Sequence, residues 1–143
     1  MIYSRKVSDL DVRPMEICFR HIEACKAAGI ELLVTSTYRD AEAQAVLYAI
    51  GRTTQLSRPR VTDAKPGESW HNYRCAWDVV PLVNGKAVWA ATDPVWAEIL
   101  KIGKQVGADR GPKWELAHFQ VVPAGLTLLD AADRFHNAGT VFV

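Results

Sequence analysis

Ser69-Trp70-His71-Asn72-Tyr73-Arg74-Cys75-Ala76-Trp77-Asp78 carries an imidazole and a carboxylate, and Trp114-Glu115-Leu116-Ala117-His118-Phe119 adds one more of each. Two imidazoles and one carboxylate are the ligand set of a catalytic zinc site, which leaves the fourth position open for water. His71, Asp78 and His118 are therefore the candidate ligands of one Zn2+ per chain. Glu115 lies three residues before the last ligand and is placed to take that water's proton. The pattern reads as a hydrolase. The helical zinc motif His-Glu-x-x-His is absent, so the thermolysin type of protease is excluded.

Spacing constrains how these residues can meet. Successive side chains of a strand point to opposite faces, so residues three apart cannot both face one metal from a regular strand. A bulge or a strand end must lie between Glu115 and His118, near Leu116-Ala117.

These motifs resemble those of the zinc peptidases of bacterial cell-wall metabolism, the D-Ala-D-Ala carboxypeptidase and hedgehog-like superfamily. Its first motif, Ser-x-His-x-x-Gly-x-Ala-x-Asp, is matched in register by Ser69, His71, Ala76 and Asp78. Its second, an acidic residue three before a His, is matched by Glu115 and His118. A third segment, Thr35-Ser36-Thr37-Tyr38-Arg39-Asp40 leading to Gln44, Leu47, Tyr48, Gly51 and Arg52, is similar to the branch of phage endolysins that are L-alanyl-D-glutamate peptidases. The resemblance runs from about Leu32 to about Leu129. It implies an α+β fold, a peptidoglycan stem-peptide substrate, a catalytic or carboxylate-binding role for Arg39, substrate contact for Ser69 and a fold-supporting role for Gln44. Taken singly, His71 or His118 would pass as a structural histidine and Glu115 as a surface carboxylate. Their joint register with Asp78 carries the metal reading.

One position departs from the pattern. Arg74 stands where the motif has Gly, and we expect it to adopt a backbone conformation that an L-residue tolerates.

The chain of 143 residues, with 49% hydrophobic and 23% charged residues, fits one globular domain with a sizeable core and no separate wall-binding domain. A net charge of +1 gives no sign of a nucleic-acid surface. No segment approaches the roughly 20 apolar residues of a membrane span, and no apolar run of signal-peptide length follows Met1. The expectation is a monomer made in a bacterial cytoplasm that reaches the wall after release across the inner membrane.

Cys18, Cys25 and Cys75 are an odd number without a Cys-x-x-Cys pair. On one helix Cys18 and Cys25 would lie roughly 10 Å apart, too far for a disulfide, so buried reduced thiols are expected. A Cys75 nucleophile beside His71 is the weaker alternative to the metal.

Periodicity gives the element order. Pro14 to Ala28 reads as a helix stopped by Gly29, with His21 beside its apolar stripe as a partly exposed helix histidine. Ile30 to Thr35 has strand composition, and Asp40 caps a helix from Ala41 to about Ile50 that Gly51 closes. Arg39 thus sits at a strand-to-helix junction. The polar stretch Arg52–Glu68 is read as a loop forming a wall of the substrate cleft. Cys75–Val83 and Lys86–Trp89 flank Asn84-Gly85, a hairpin signal. Asp93-Pro94 opens a helix to Gly107, Trp114–Val122 reads as a strand, and Thr127 starts a last helix to about His136. Local strand pairing implies a small antiparallel sheet with helices packed to one side. Trp70, Tyr73, Trp77 and Trp114 crowd the motifs, and most are expected to be packing residues.

Three functions remain open: an endolysin-type L-alanyl-D-glutamate peptidase, a D-Ala-D-Ala carboxypeptidase or dipeptidase, and a zinc binding module without turnover. The first leads. A binding module has no need of a general base, yet Glu115 is in place.

Overall fold

The computed structural model describes all residues, 1–143. Helix α1 (Val12–Ala27) is followed by strand β1 (Glu31–Ser36) and helix α2 (Ala41–Ala49). Strand β2 (Ala76–Val83) forms a hairpin with β3 (Lys86–Ala87), and α3 (Val95–Val106) comes next. The short strands β4 (Asp109–Arg110) and β5 (His118–Gln120) precede helix α4 (Leu128–Ala138). The sheet order is β1-β2-β5-β4, with β3 also paired to β2, and every pairing is antiparallel. This is the expected α+β architecture.

Local chemistry explains most boundaries. Asp40 caps α2 by accepting from the Ala43 N–H at 2.9 Å, Asp93 accepts from Val95 N at 2.9 Å, and Thr127 accepts from Asp130 N at 3.1 Å. Asn84 (φ 51°) and Gly85 (φ 76°) both take the left-handed conformation that a two-residue hairpin turn demands. Helix α1 begins two residues earlier than its apolar stripe suggests, because the Asp11 carboxylate accepts from Val12 N at 2.7 Å.

The expected strand over 114–122 shrinks to His118–Gln120. The residues before it form turns, with Glu115 N–H donating to Pro112 O and His118 N–H to Glu115 O. This is the strand end that the three-residue spacing of Glu115 and His118 requires. The 86–89 strand likewise stops at Ala87. Neither β4 nor the two 3-10 turns, Val7–Asp9 and Trp70–Tyr73, had a sequence signal.

The main core lies between the sheet and helices α1 and α3, around Trp77, Val79, Ile99, Ile102 and Phe119. His21 corrects an expectation: it is 0% exposed. Its Nε2–H faces Ile99 O at 3.1 Å, its Nδ1 accepts from the Trp77 indole at 3.4 Å, and its ring meets Phe119 edge-on at 4.5 Å. The ring fits because α3 carries Gly103, where a Cβ would come within 3.0 Å of both His21 Nε2 and Phe119. Both ring nitrogens are satisfied only in the neutral form, and burial pushes the His21 pKa down. A second small core joins Tyr73 and Cys75 to Ala131 and Val141, which seats α4 against the Trp70–Tyr73 turn. The three cysteines are free and buried, as expected, and burial pushes Cys18 and Cys75 up to about 12. A thiol held in that state is no nucleophile.

Arg74 is the second correction. Its backbone is left-handed, φ 59° and ψ 29°, at the end of the Trp70–Tyr73 turn. The chain must reverse there to enter β2, and the side chain holds it in place. The guanidinium donates to Asp9 O at 2.8 Å and lies 4.0 Å over the Tyr38 ring. These long-range contacts therefore offset strain of about 1–2 kcal/mol.

Two outcomes follow for stability. Arg74→Ala keeps the left-handed backbone and loses both contacts, whereas Arg74→Gly loses the contacts and relieves the strain. The Gly variant should melt about 3–4 °C above the Ala variant, on the order of 1 kcal/mol. Equal melting temperatures would show that residue 74 carries no strain.

His21, with its pKa lowered on folding, binds its proton more readily in the unfolded chain. Its contribution to stability is complete above the unfolded value of 6.5 and is lost as pH falls through and below it. Chemical denaturation between pH 7.5 and 5 should lose less stability in His21→Gln than in the parent chain. Parallel pH profiles would assign the acid sensitivity elsewhere.

Candidate metal centre

Asp78 stands on the central strand, opposite Ser36 of β1 and His118 of β5. Directly opposed residues of a sheet share a face, so the register alone brings Asp78 and His118 together. The neighbouring pair, Trp77 and Phe119, points the other way into the core. His71 arrives from the Trp70–Tyr73 turn, whose start Ser69 and Asn72 cap: Ser69 Oγ accepts from His71 N at 3.3 Å and Asn72 Oδ1 from Ser69 N at 3.4 Å.

The three candidate ligands converge. Their donor atoms lie within 4.8 Å of one another. Ligand atoms around one tetrahedral zinc lie about 3.3–3.6 Å apart, and Asp78 Oδ1 already stands at 3.3 Å from His71 Nε2 and 3.6 Å from His118 Nδ1. The far nitrogen of each ring is already engaged. His71 Nδ1–H donates to Thr37 O at 2.7 Å, and His118 Nε2 pairs with Gln120 Oε1 at 2.8 Å. These bonds leave His71 Nε2 and His118 Nδ1 as lone pairs toward Asp78 Oδ1, at 3.3 and 3.6 Å. His71 Nε2 is buried and has no hydrogen-bond partner. An orphaned imidazole nitrogen facing a carboxylate and a second lone pair fits a bound cation.

The electrostatics favour a positive charge between these side chains. Burial would raise the Asp78 pKa, but the adjacent His71 and His118 outweigh it and hold the carboxyl well below the usual carboxylate range. Burial pushes His71 down, against the pull of Asp78. Burial acts the same way on His118, but there Asp78, Gln120 and Glu115 prevail and raise it.

Arg39 is a buried residue of this wall. Its Nε–H donates to Gln44 Oε1 at 3.1 Å, Nη1 to Ser36 Oγ at 3.2 Å and Nη2 to Ser69 Oγ at 3.4 Å. Nη1 also lies 3.7 Å from Asp78 Oδ2. Most of its five donors are engaged, and the residue holds the outer oxygen of Asp78 while Oδ1 faces the imidazoles. Gln44 supports it and also donates to Ala64 O at 2.9 Å, tying down the long loop. Tyr3 packs under the guanidinium, its ring centre 5.8 Å from Cζ.

Glu115 sits at the rim, its side chain 43% exposed and its carboxylate 3.8 Å from His118 Nδ1. It is close enough to reach a small molecule at the cluster without being a fourth ligand. The cleft above has a volume of about 1160 Å³, and Val61–Ala64 and Glu68 of the long loop line it, as expected. Arg52 secures that loop by donating to Thr62 O at 2.9 Å while stacking on Tyr48 at 3.8 Å. Among the aromatics near the motifs, Trp77 and Tyr73 are buried packing residues, whereas Trp114 is 78% exposed on the cleft.

Sequence reasoning did not single out Thr37 and Gln120, because a backbone carbonyl and a neutral amide carry no motif signal. Gly111 was missed for a similar reason. A Cβ there would come within 2.6 Å of His118 Cδ2, so glycine is what lets the β4 strand end lie against the imidazole.

Comparison with known proteins agrees with this geometry. The family described as VanY, D-alanyl-D-alanine carboxypeptidase, matches residues 9–107, a span that holds His71 and Asp78 and ends before Glu115 and His118. The peptidoglycan L-alanyl-D-glutamate endopeptidase CwlK of Bacillus subtilis is 30% identical over 131 residues, covering 79% of this chain and 75% of its own length. Among solved structures, the LdcB LD-carboxypeptidase superposes with TM-score 0.64 at 21% identity, over 92% of this chain and 66% of that one. This chain thus spans slightly under two thirds of that protein. The zinc-bound D,D-pentapeptidase VanY from a VanB-type resistance cassette gives TM-score 0.63 at 18% identity, over 92% of this chain and 80% of its own. With the fold, the paired motifs and the match to residues 9–107 in agreement, this chain belongs to the VanY D-alanyl-D-alanine carboxypeptidase family.

Proposed function

We propose that the protein is a zinc-dependent peptidoglycan hydrolase that cuts the L-Ala–D-Glu bond of the stem peptide. The observation that carries the metal reading is the orphaned His71 Nε2, buried beside Asp78 Oδ1 and the free nitrogen of His118. The choice of bond is supported by the 30% identity to CwlK, which is named for it.

His71, Asp78 and His118 would hold one Zn2+, leaving an open position. Zinc bound there supplies a Lewis acid that polarises a carbonyl and brings the pKa of water towards about 7. The rest is the work of the chain. Glu115 accepts the proton of the attacking water and returns it to the departing amine of D-Glu, so it ends the cycle as it began. Thr37 O and Gln120 fix the tautomer of each histidine, keeping a lone pair on the inner nitrogen. Arg39 steadies Asp78 and offers what remains of its fork to a substrate carboxylate or a developing oxyanion, and Ser69 holds that fork in place.

The rival reading, a D-Ala-D-Ala carboxypeptidase or dipeptidase, is favoured by the family match and by the likeness to VanYB in complex with D-alanine-D-alanine, at TM-score 0.63 and 17% identity. Local chemistry is shared. D-Glu is linked onward through its γ-carboxyl, so its free α-carboxylate lies beside the scissile amide, as does that of a terminal D-Ala. A zinc binding module without turnover is disfavoured by Glu115, which stands where a base is needed.

The ligand set and the base separate cleanly by mutation. Asp78→Ala should lose the equivalent of zinc that the parent chain retains on gel filtration, measured by metal analysis. Glu115→Gln should keep zinc and fold while turnover falls about a hundredfold or more. Full zinc in the Asp78 variant, or near-parent turnover in the Glu115 variant, would remove that residue from its role.

Product analysis decides the bond. Incubation with purified peptidoglycan should release stem peptides beginning with D-Glu, leave L-Ala on muramic acid and clear the suspension, because the cut disconnects strands. Free D-Ala as the only product, at constant turbidity, would establish the carboxypeptidase instead.

A further inference from the structure

The cleft extends beyond the cluster and Glu115, and its outer part is aromatic. Trp89 follows the β3 strand and is 63% exposed, and Trp114 precedes Glu115 and is 78% exposed. Both line the same cleft as the candidate ligands. Tryptophan is highly buried on average, so two large indoles exposed on one cleft call for a ligand.

A wall with two exposed indoles suits a ligand with flat C–H faces, as a sugar ring has. The cleft's volume of about 1160 Å³ exceeds the roughly 300–1,000 Å³ that hold a drug-sized ligand, leaving room beside a peptide. We propose that Trp89 and Trp114 form a subsite for the muramyl sugar that carries the stem peptide.

The subsite rests on the L-Ala–D-Glu reading, which supplies the distance. L-Ala joins the sugar through a single lactyl unit, so the scissile carbonyl lies two chain units from the ring, about 7 Å at full extension. The sugar of that substrate must occupy the cleft that holds the cluster. A terminal D-Ala–D-Ala bond stands five units away, about 17 Å, and makes no such demand.

The test compares a glycan-bearing muropeptide with the same stem peptide lacking glycan. Zinc-loaded parent protein should prefer the muropeptide in kcat/KM. Trp89→Ala and Trp114→Ala should each reduce that preference about tenfold, with Trp114→Tyr recovering part of it. The disaccharide GlcNAc–MurNAc, without peptide, should change the tryptophan emission of the parent protein. An unchanged substrate preference in both Ala variants would overturn the subsite, as would no disaccharide binding by the parent, even if L-Ala–D-Glu is cut. Disaccharide binding together with release of D-Ala alone would keep the subsite and overturn the assigned bond.

Discussion

The pairing of Asp78 with His118 across β2 and β5 is the constraint on which the rest of the cleft depends. Two candidate ligands on directly opposed positions need no loop to bring them together, but they need the register to be held. A slip of one residue would turn Asp78 into the core and Trp77 into the cleft. What prevents the slip is the opposite face. Trp77 and Phe119 stack there at 6.4 Å, and His21 closes against both. Because β5 has three residues, His118–Gln120, its own ladder is too short to set the register, and packing must do so. The aromatic core therefore positions Asp78 and His118 from behind.

The site concentrates charge in a small volume, and its hydrogen bonds keep that charge usable. Asp78 carries one oxygen toward Arg39 and the other toward two imidazoles. Without the arginine, both oxygens would compete for the histidines, and the carboxylate would lose its fixed orientation. The guanidinium in turn depends on Gln44, Ser36 and Ser69. These residues come from α2, the end of β1 and the approach to His71, so three elements meet at one buried cation. Gln44 extends the chain of contacts to Ala64 in the cleft wall. Wall, cation and ligand form one connected unit, which is why a polar residue on α2 is fully buried.

How much of this could be read in the sequence varied with the kind of force involved. The convergence of His71, Asp78 and His118 and the α+β order were legible because side-chain chemistry at fixed spacing signals them directly. The end of β5 before His118 was legible by geometry alone, since residues three apart cannot share a strand face. Short elements were not: β4 has two residues and no pattern of its own, and it exists because β5 offers an edge. His21 reads as a helix histidine beside an apolar stripe, and only Gly103 on a distant helix shows that room was made for it. Arg74 was misjudged because local conformational preference argues against a left-handed arginine. The contacts that hold it come from Asp9 and Tyr38, which lie far away along the chain. In each miss, a tertiary partner overrode a local rule.

The two candidate bonds pose the same problem at the reacting atoms: an amide beside a free carboxylate, a water to be deprotonated, an amine to be protonated. Residues at the cluster therefore cannot separate an endopeptidase from a carboxypeptidase, however clearly they are seen. The difference lies in what the cleft must accommodate at its ends. A carboxypeptidase meets a chain terminus and gains by closing around it with a cation. An endopeptidase at L-Ala–D-Glu must let a branched peptide leave on one side and a glycan strand on the other. Arg39, the cation nearest the cluster, is buried and largely committed to Asp78, Gln44, Ser36 and Ser69, whereas the outer cleft presents the exposed indoles of Trp89 and Trp114. On the reading proposed above, it is the loops and this aromatic rim, and not the common centre, that would select the bond.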